Sequence, residues 1–361
     1  MFVILGGFGQ QGIAITRFLL EASPYDIITI DTADVPRSMR DLLANNKNIS
    51  FRAGRPNPTT ALDKLPIGVD HATLISCLPP AFNLDVTRWC LDHGWNYMDL
   101  GESTLVARKQ RKLKVEAKLK GSKVVTQCGL APGIVSAGAM HYQTFANDLK
   151  SINVYCGGIP IWPKPPLHYV RSFHSGGVIG ECTGLAEEVR DGKVVYVPAL
   201  SQIKQVFVPG FGILEAAPTS GGTGTAVYKA IKVDFSYNTL RYPGHWKYLI
   251  KHILTQPDPA YALEMITDKV SSENYDVIIL IFELEYGSGD VERVGYRWDY
   301  NWKHDISAMS RATGYIAGAV ATMIYDELVD TGVAGMEELD FNEVITRVKN
   351  IDNGSFTHLA L

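Results

Sequence analysis

The 361-residue sequence lacks the patterns that would indicate a disulfide framework, a catalytic metal or a membrane span. Its five cysteines contain no Cys-x-x-Cys pair, which favours a reducing, cytoplasmic setting. The nine histidines show neither His-x-x-x-His nor His-Glu-x-x-His spacing, so no metal site is predicted. No apolar run is long enough to cross a bilayer, and no signal peptide follows Met1, so we expect no membrane partner.

An excess of charge of one sign is also absent. Lysine and arginine number 34 against 38 acidic residues, and the net charge of -4 at pH 7 provides no basic field for nucleic acid. The most basic segment, residues 108–120, has no interleaved aromatic residues. We expect it to form a solvated helix with Leu113, Val115 and Leu119 facing inward. The composition therefore predicts a small-molecule partner rather than nucleic acid.

The first third of the chain alternates short apolar runs with amphipathic segments, which is typical of βα units in a parallel sheet. The predicted strands are residues 2–5, 27–30, 49–53, 72–77, 97–100 and 124–128. After about Gly133, longer alternating runs at 194–197, 227–235, 277–284 and 291–298 predict a mixed or antiparallel sheet. Residues 306–328 and 341–349 have a helical pattern. The predicted fold class is α/β, a parallel-sheet domain followed by an α+β domain.

A glycine-rich turn follows the first strand and opens an amphipathic helix. Its sequence is Gly7-Phe8-Gly9-Gln10-Gln11-Gly12. In a dinucleotide-binding turn, the first glycine allows a tight bend, the second admits a pyrophosphate and the third permits close helix packing. The amides of the first helical turn, here at Gln10, Gln11 and Gly12, face the phosphate charge. The pattern predicts a Rossmann domain, the doubly wound parallel sheet that binds NAD or NADP.

Asp31 ends the second strand about twenty residues beyond this turn, where a carboxylate accepts hydrogen bonds from the ribose hydroxyls. Its negative charge would repel a 2′-phosphate, which favours NAD over NADP. The nearby Arg37 and Arg40 keep NADP possible, although we interpret both as solvated surface charges.

Two further strand ends carry candidate site residues. Cys77, Leu78 and Pro79 follow the fourth strand, and Asp99 and Glu102 lie at the end of the fifth. Because ligands bind at the carboxyl ends of parallel strands, we expect both turns to flank the nicotinamide end of the cofactor. Asp99 is a candidate catalytic group, with a helix-capping carboxylate as the alternative. Cys77 is interpreted as a small buried residue rather than a nucleophile.

Six segments of the chain resemble the saccharopine dehydrogenase-like family, in particular its lysine 6-dehydrogenase and saccharopine reductase branches. They are Gly129-Leu130-Ala131-Pro132-Gly133, Gly157-Gly158-Ile159-Pro160, Pro166-Leu167-His168-Tyr169, Gly177-Val178-Ile179-Gly180-Glu181, Thr239-Leu240-Arg241-Tyr242-Pro243-Gly244-His245 and Ser307-Ala308-Met309-Ser310-Arg311-Ala312-Thr313-Gly314. Together with the glycine turn, the likeness runs from residue 7 to about residue 314. The strings ending at Gly133 and His245 are the specific ones.

The resemblance implies a Rossmann domain over residues 1–128, a catalytic and dimerisation domain with a mixed sheet over 129–303, and C-terminal helices over 304–361 that return to the first domain. It implies an active site between the domains, an amino-acid substrate, and a homodimer or larger homo-oligomer. It also implies that Arg241 holds a substrate carboxylate. A guanidinium suits that role because it offers two parallel donors, which a lysine cannot copy.

The activity that the resemblance implies is NAD(P)-dependent oxidation at the CH–NH group of an amino acid, and we expect deamination of L-lysine at its ε-carbon. A free lysine amine has a pKa of about 10.4, so a base or desolvation must remove its proton. His245 and Asp99 are the candidate bases, and Tyr169 and Glu102 are candidates for orienting the amine. A structural, hydrogen-bonded histidine is the alternative for His245.

Two other activities stay open at this stage. A saccharopine- or carboxynorspermidine-type reductase would join an aldehyde to an amine with the same hydride chemistry. Saccharopine carries three carboxylates, so its enzyme would need further cations such as Arg171, Arg297 or Arg311. A non-catalytic NAD-binding sensor is the other alternative, and the presence of Arg241 and His245 argues against it.

Overall fold

The chain folds into two compact units. The computed structural model describes residues 1–54, 58–63, 65, 71–171, 174–228, 230–270, 275–352 and 356–359. The first unit contains Met1–Ala137 and Ser310–Ile351, and the second contains Gly138–Met309 and Asp352–Leu361. The first unit is therefore assembled from two separate stretches of chain. Within the described residues, no helix is both long and apolar enough to span a membrane.

The elements alternate along the first unit and become mostly strands in the second. The strands are β1 (Phe2–Leu5), β2 (Ile27–Asp31), β3 (Ile49–Ala53), β4 (Thr73–Ser76), β5 (Asn96–Asp99), β6 (Lys123–Thr126), β7 (Leu149–Pro160), β8 (Leu185–Arg190), β9 (Lys193–Pro198), β10 (Lys204–Val208), β11 (Gly212–Pro218), β12 (Asp234–Arg241), β13 (Asp276–Tyr286), β14 (Val291–Asp299), β15 (Gly332–Gly335) and β16 (Phe356–Leu359). The helices are α1 (Gln10–Ala22), α2 (Arg37–Asn45), α3 (Pro58–Leu62), α4 (Asn83–Asp92), α5 (Thr104–Arg111), α6 (Lys114–Lys120), α7 (Ile134–Phe145), α8 (Ser175–Thr183), α9 (His245–Tyr248), α10 (Pro259–Val270), α11 (Ala308–Tyr325) and α12 (Phe341–Ile351).

The first unit is built on a seven-stranded sheet of parallel strands, in the order β15-β6-β5-β4-β1-β2-β3. Strands β1, β4 and β6 are buried along their whole length, as expected of strands covered on both faces. The strand order reverses beside β1, and ligands bind at such a reversal. The six predicted strands and the Rossmann fold class are confirmed. The seventh strand, β15, was not predicted.

Helix α11 packs closely against α1 within the first unit. A Cβ atom added at Gly314 would lie 2.6 Å from the Cβ of Ala14, and one at Gly318 would lie 2.4 Å from the ring of Phe18. The two helices can approach only because these positions lack side chains. The helix that carries Gly314 therefore supports the helix that begins at the glycine-rich turn. The helical predictions for residues 306–328 and 341–349 are confirmed by α11 and α12.

The second unit is built on a nine-stranded mixed sheet. Its main path is β10-β11-β12-β7-β13-β14-β16, and β8 joins β12 and pairs with β9. Only β7 and β12 run parallel, and the other pairs are antiparallel. The predicted mixed sheet is confirmed, as are the strands predicted at 194–197, 277–284 and 291–298.

Two sequence predictions are wrong. Residues 226–228 form a short 3₁₀ turn and the strand begins only at Asp234, so the strand predicted at 227–235 is displaced; residue 229 lies outside the described residues. In the basic segment, Val115 and Leu119 are 71% and 84% exposed, whereas Ala107, Gln110 and Ala117 are buried. Leu113 packs partly buried against the core of the first unit as predicted, so the predicted inward face is wrong for Val115 and Leu119.

Candidate active site

The glycine-rich turn between β1 and α1 depends on one glycine more than the sequence pattern indicated. Gly6 has a φ of +73°, a backbone conformation that L side chains rarely adopt, and a Cβ there would lie 3.1 Å from the carbonyl oxygen of Cys77. The N–H groups of Gly6 and Gly7 both donate to the carbonyl of Ile30. The tight bend assigned to Gly7 is therefore made at Gly6, and Gly7 lacks a side chain because Thr29 fills that space.

The later two glycines have different surroundings. A Cβ at Gly12 would lie 2.5 Å from the Gly6 oxygen and 2.6 Å from the Gly7 Cα, so only glycine fits where the helix meets the turn. A Cβ at Gly9 would meet only one atom, the Gly6 oxygen at 3.4 Å. Gly9 is also exposed, and it caps α1 without a side-chain hydrogen bond. The first amides of α1, at Gln10 and Gln11, therefore have neither a helical acceptor nor a cap.

Asp31 fixes the glycine-rich turn from the end of β2. Its Oδ2 accepts from the Phe8 amide at 2.8 Å, and its Oδ1 accepts from the Ala33 amide at 2.9 Å. Each carboxylate oxygen can accept a second hydrogen bond, and the residue is only partly buried. Asp31 is thus able to hold the turn and accept ribose hydroxyls at once. Among the candidate NADP-binding cations, Arg40 donates to the Val35 carbonyl at 2.9 Å.

We expect Asp31→Ala to weaken NAD binding by about 10- to 100-fold, because hydrogen bonds to a charged group contribute roughly 1.5–3 kcal/mol. The loss for NADP should be smaller, because the same change also removes repulsion of the 2′-phosphate. Titration calorimetry with both dinucleotides measures the two losses. An unchanged ratio of NAD affinity to NADP affinity would contradict the ribose assignment.

The turn after β4 contains Cys77, Leu78 and Pro79, and it lies against the glycine-rich turn. The Cys77 amide donates to the Leu5 carbonyl at 2.9 Å, and its own carbonyl is the neighbour that excludes a side chain at Gly6. Burial, together with the nearby Asp31 charge, raises the pKa of the Cys77 thiol to about 12. The thiol is therefore protonated at neutral pH. Leu78 is partly buried and Pro79 is exposed, so both border the turn.

Asp99 ends β5 as a buried hydrogen-bond hub. Its Oδ1 accepts from the amides of Gly101 and Gln127 at 2.9 and 3.1 Å, and its Oδ2 accepts from the Tyr97 hydroxyl at 3.0 Å and Gln110 at 2.7 Å. Burial raises the pKa of Asp99, and these four donors oppose the rise. Its four acceptor positions are occupied by protein donors, an arrangement that suits a structural carboxylate.

Glu102, three residues beyond Asp99, is exposed to solvent. It belongs to the first unit together with Asp99 and the residues predicted to bind the cofactor. The other candidate site residues, Arg241, Tyr169 and His245, belong to the second unit.

Arg241 is a buried cation at the end of β12. Only 5% of its surface is exposed, and its Nη1 donates to the adjacent Leu240 carbonyl at 2.8 Å. The guanidinium carbon lies 4.9 Å from the centre of the Tyr169 ring and 5.6 Å from that of Trp246. Its Nε has no hydrogen-bond partner, and no carboxylate in the described part of the chain pairs with it.

Glu215 is the carboxylate that the sheet places beside Arg241, but it does not pair with the guanidinium. Glu215 lies directly opposite Arg241 in the register of β11 and β12, so the two side chains share a face of the sheet. Instead of pairing with the guanidinium, Glu215 Oε2 accepts from the Gly244 amide at 3.2 Å. No spacing along the chain indicated this arrangement, because residues 215 and 241 become neighbours only through the strand register.

His245 begins α9 immediately after the Arg241 segment and is 1% exposed. Its Nδ1 lies 2.8 Å from the Leu167 carbonyl, and since a carbonyl can only accept, Nδ1 carries the proton and Nε2 carries a lone pair. Burial lowers the pKa of His245 to about 3, and the Arg241 charge contributes to the lowering. The imidazole is therefore neutral at physiological pH.

Tyr169 completes this group of side chains. Its ring contacts the His245 ring edge-on at 5.4 Å between centres and lies under the Arg241 guanidinium. Three of the predicted residues thus form one cluster in the second unit. We call Arg241, Tyr169, His245 and Trp246 the Arg241 cluster. It combines a cation that has no carboxylate partner among the described residues with a neutral imidazole and two aromatic side chains, which is a suitable environment for an anionic ligand group.

The doubly wound sheet and its glycine-rich turn define the class of protein, an NAD(P)-dependent oxidoreductase. Residues 2–125 match the family model of the saccharopine dehydrogenase NADP binding domain, and residues 129–350 match that of the saccharopine dehydrogenase C-terminal domain. The chain belongs to the saccharopine dehydrogenase family. The predicted family and dinucleotide cofactor are therefore confirmed.

Solved structures agree with this fold. Saccharopine dehydrogenase (L-Glu forming) from Saccharomyces cerevisiae matches with a TM-score of 0.72 and 17% identity, over 99% of each chain. The homospermidine synthase from Legionella pneumophila, solved in complex with NAD, matches with a TM-score of 0.71 and 16% identity, over 100% of this chain and 91% of that one. At these identities the likeness establishes the shared fold.

Proposed function

We propose that this chain oxidises L-lysine at its ε-carbon with NAD, releasing ammonia. The observation that carries the proposal is the buried Arg241 guanidinium, which has no carboxylate partner within the described residues. Burying an unpaired charge costs on the order of several kcal/mol, and a ligand carboxylate would offset that cost. The α-carboxylate of an amino acid has the required charge and planar shape.

The charges of the second unit favour a substrate with one carboxylate. Arg171 pairs with Glu264 at 2.9 Å and Asp268 at 3.0 Å. Arg297 pairs with Asp299 at 2.6 Å. These are two of the three arginines that were candidates for the additional carboxylates of saccharopine, and both already have acidic partners in the protein. The third, Arg311, belongs to the first unit. Lysine needs a single guanidinium, which Arg241 supplies.

His245 is the group that we propose for handling the proton of the substrate amine. Its Nε2 lone pair can accept a hydrogen bond from the amine, because Nδ1 is fixed by the Leu167 carbonyl. A substrate carboxylate on Arg241 would neutralise the Arg241 charge, which after burial is the largest cause that lowers the pKa of His245. Substrate binding would therefore make His245 a stronger base than it is in the free protein, in which burial keeps it neutral.

The glycine-rich turn fits a dinucleotide. Gly9 leaves open space, the first amides of α1 are uncapped, and Asp31 has remaining acceptor positions for ribose hydroxyls. When bound, the nicotinamide of such a cofactor accepts the hydride that leaves the substrate carbon. Asp31 makes NAD the preferred cofactor in this proposal, because a 2′-phosphate beside its carboxylate would be repelled. Asp99 acts as a positioning group that holds the turn after β5.

The proposal is tested by incubating the purified protein with L-lysine and either dinucleotide while recording the absorbance of the reduced nicotinamide. Formation of reduced NAD together with ammonia supports ε-deamination. Reaction only when an amine, an aldehyde and the reduced cofactor are supplied together would replace it with a reductive coupling activity. NAD binding without turnover of any of these substrates would indicate a sensor.

His245 should make the protein less stable as the pH falls. A buried neutral histidine with a pKa of about 3 excludes a proton that the unfolded chain binds below about pH 6.5. The stability that the neutral His245 contributes is therefore intact above about pH 6.5 and is lost progressively down to about pH 3. At pH 5 the loss is about 2 kcal/mol, from about 1.4 kcal/mol per pH unit.

The matched variant for this measurement is His245→Gln, whose side-chain amide can still donate to the Leu167 carbonyl. Urea unfolding at pH 7.5 and pH 5 should show that the wild type loses more stability than the variant between the two conditions. Equal losses would mean that His245 titrates normally in the folded protein.

A further inference from the structure

We propose that Glu215 binds the α-ammonium group of the substrate, so that Glu215 and Arg241 together recognise the zwitterionic end of an α-amino acid. This inference rests on the proposed role of Arg241 in holding the substrate carboxylate. It adds a specificity-determining residue on β11, a strand that carries none of the proposed cofactor-binding or proton-transfer residues.

The first support is the strand register. Residues directly opposite each other in an antiparallel pair project from the same face, with Cβ atoms roughly 4.5–5.5 Å apart. Glu215 and Arg241 occupy such a pair, and yet they form no ion pair with each other. The ammonium and carboxylate of an α-amino acid are attached to one carbon. A ligand of that size can therefore bridge a cation and an anion held on neighbouring strands.

The second support is the hydrogen bonding of Glu215. Its Oε2 accepts from the Gly244 amide, and its main-chain carbonyl accepts from Trp246 Nε1 at 3.3 Å. Oε1 has no donor in the described part of the chain, and the side chain is only partly buried. The carboxylate is thus held in place beside the Arg241 cluster by one oxygen and offers the other to a ligand. A substrate ammonium supplies the donors that this oxygen can accept.

A second carboxylate, that of Glu181, is the alternative candidate for binding the α-ammonium group. Glu181, on α8, raises the pKa values of Cys156, Cys182 and Tyr237, and the Arg241 charge lowers the pKa values of the same three groups. Glu181 therefore lies in the same electrostatic neighbourhood. Glu181 lies on a helix, whereas Glu215 is the direct register partner of Arg241, so we expect Glu215 to be the residue that distinguishes α-amino acids.

The test uses two unreactive probes that differ only in the α-amino group, L-norleucine and hexanoate. Calorimetry on the NAD-loaded protein should show that the wild type binds L-norleucine more tightly than hexanoate. We expect Glu215→Gln to lower the affinity for L-norleucine about 10- to 100-fold and to leave the affinity for hexanoate nearly unchanged. The glutamine retains an oxygen that can accept from Gly244, and the unfolding midpoint checks that the turn is preserved.

Controls separate the possible outcomes. Glu181→Gln should retain the preference for L-norleucine, and loss of the preference in that variant alone would overturn the assignment. An equal fall for both probes in Glu215→Gln would show a structural role and would also overturn it. Discrimination through Glu215 without turnover of L-lysine would leave the inference standing and refute ε-deamination. Turnover of L-lysine with no effect of Glu215→Gln on either probe would overturn the inference and leave ε-deamination standing.

Discussion

Gly12→Ala is expected to abolish dinucleotide binding and to lower the stability of the first unit. The added Cβ would lie 2.5 Å from a backbone oxygen and 2.6 Å from a Cα, and neither atom can rotate away as a side chain could. Inserting a methyl group into a packed site typically costs about 1–3 kcal/mol, and here the displaced atoms belong to the turn that we propose faces the phosphates. Calorimetry with NAD and thermal unfolding of the free protein measure the two losses.

Gly9→Ala is the matched control for that prediction. Its Cβ would have one neighbour at 3.4 Å, which is an ordinary contact, so the unfolding midpoint should stay close to that of the wild type. Affinity for NAD should nevertheless fall, because the methyl group would occupy the open space beside the uncapped amides. If both variants unfolded alike and bound NAD alike, the assignment of separate packing and binding roles to the two glycines would be wrong.

Arg241→Lys is expected to raise the KM for the amino-acid substrate by about 10- to 100-fold, while the affinity for NAD stays nearly constant. The substitution keeps the positive charge and removes the two parallel donors, and hydrogen bonds to charged groups contribute roughly 1.5–3 kcal/mol. The guanidinium carbon lies 4.9 Å from the centre of the Tyr169 ring, and a lysine ammonium would not reproduce this contact of a planar group with the ring. Steady-state kinetics with L-lysine, together with NAD titration, check both parts.

Arg297→Lys provides the control for this substitution. Arg297 already pairs with Asp299 and is partly exposed, so its replacement should leave the KM unchanged. A KM that rises equally in both variants would indicate an effect of replacing arginine by lysine that is not specific to position 241. An equal loss of substrate and NAD affinity in Arg241→Lys would remove Arg241 from its proposed role.

The parallel sheet could be predicted from the sequence because most of its strands contain short apolar runs, such as those of β1 and β2, separated by segments of helical period. Strand β15 was not predicted because it consists of Gly332-Val333-Ala334-Gly335, in which two glycines interrupt the pattern of a strand. Strand β12 was displaced because it is not a continuous apolar run: it includes Ser236 and Asn238, whose side chains are hydrogen-bonded to each other within the sheet. Local composition does not reveal such tertiary bonds.

The candidate site residues also differ in how far the sequence could predict them. The glycine-rich turn could be predicted because its glycines and Asp31 follow a fixed local spacing, although the positive φ of Gly6 falls outside the recognised pattern. The Arg241 cluster could be suggested only through resemblance, because Tyr169 lies 72 positions before Arg241 in the chain. The register partner of Arg241 and the buried state of His245 both arise from the folded sheet. No spacing rule along the sequence reports them.

The late position of β15 in the chain has a consequence for how the protein is made. Strand β6 pairs with β15, which is synthesised roughly 200 residues afterwards. Until then one side of β6 has no neighbouring strand, and such open edges promote association between chains. A nascent chain that stalls within the second unit would therefore carry an incomplete nucleotide domain. The nucleotide domain is finished only when most of the protein has left the ribosome.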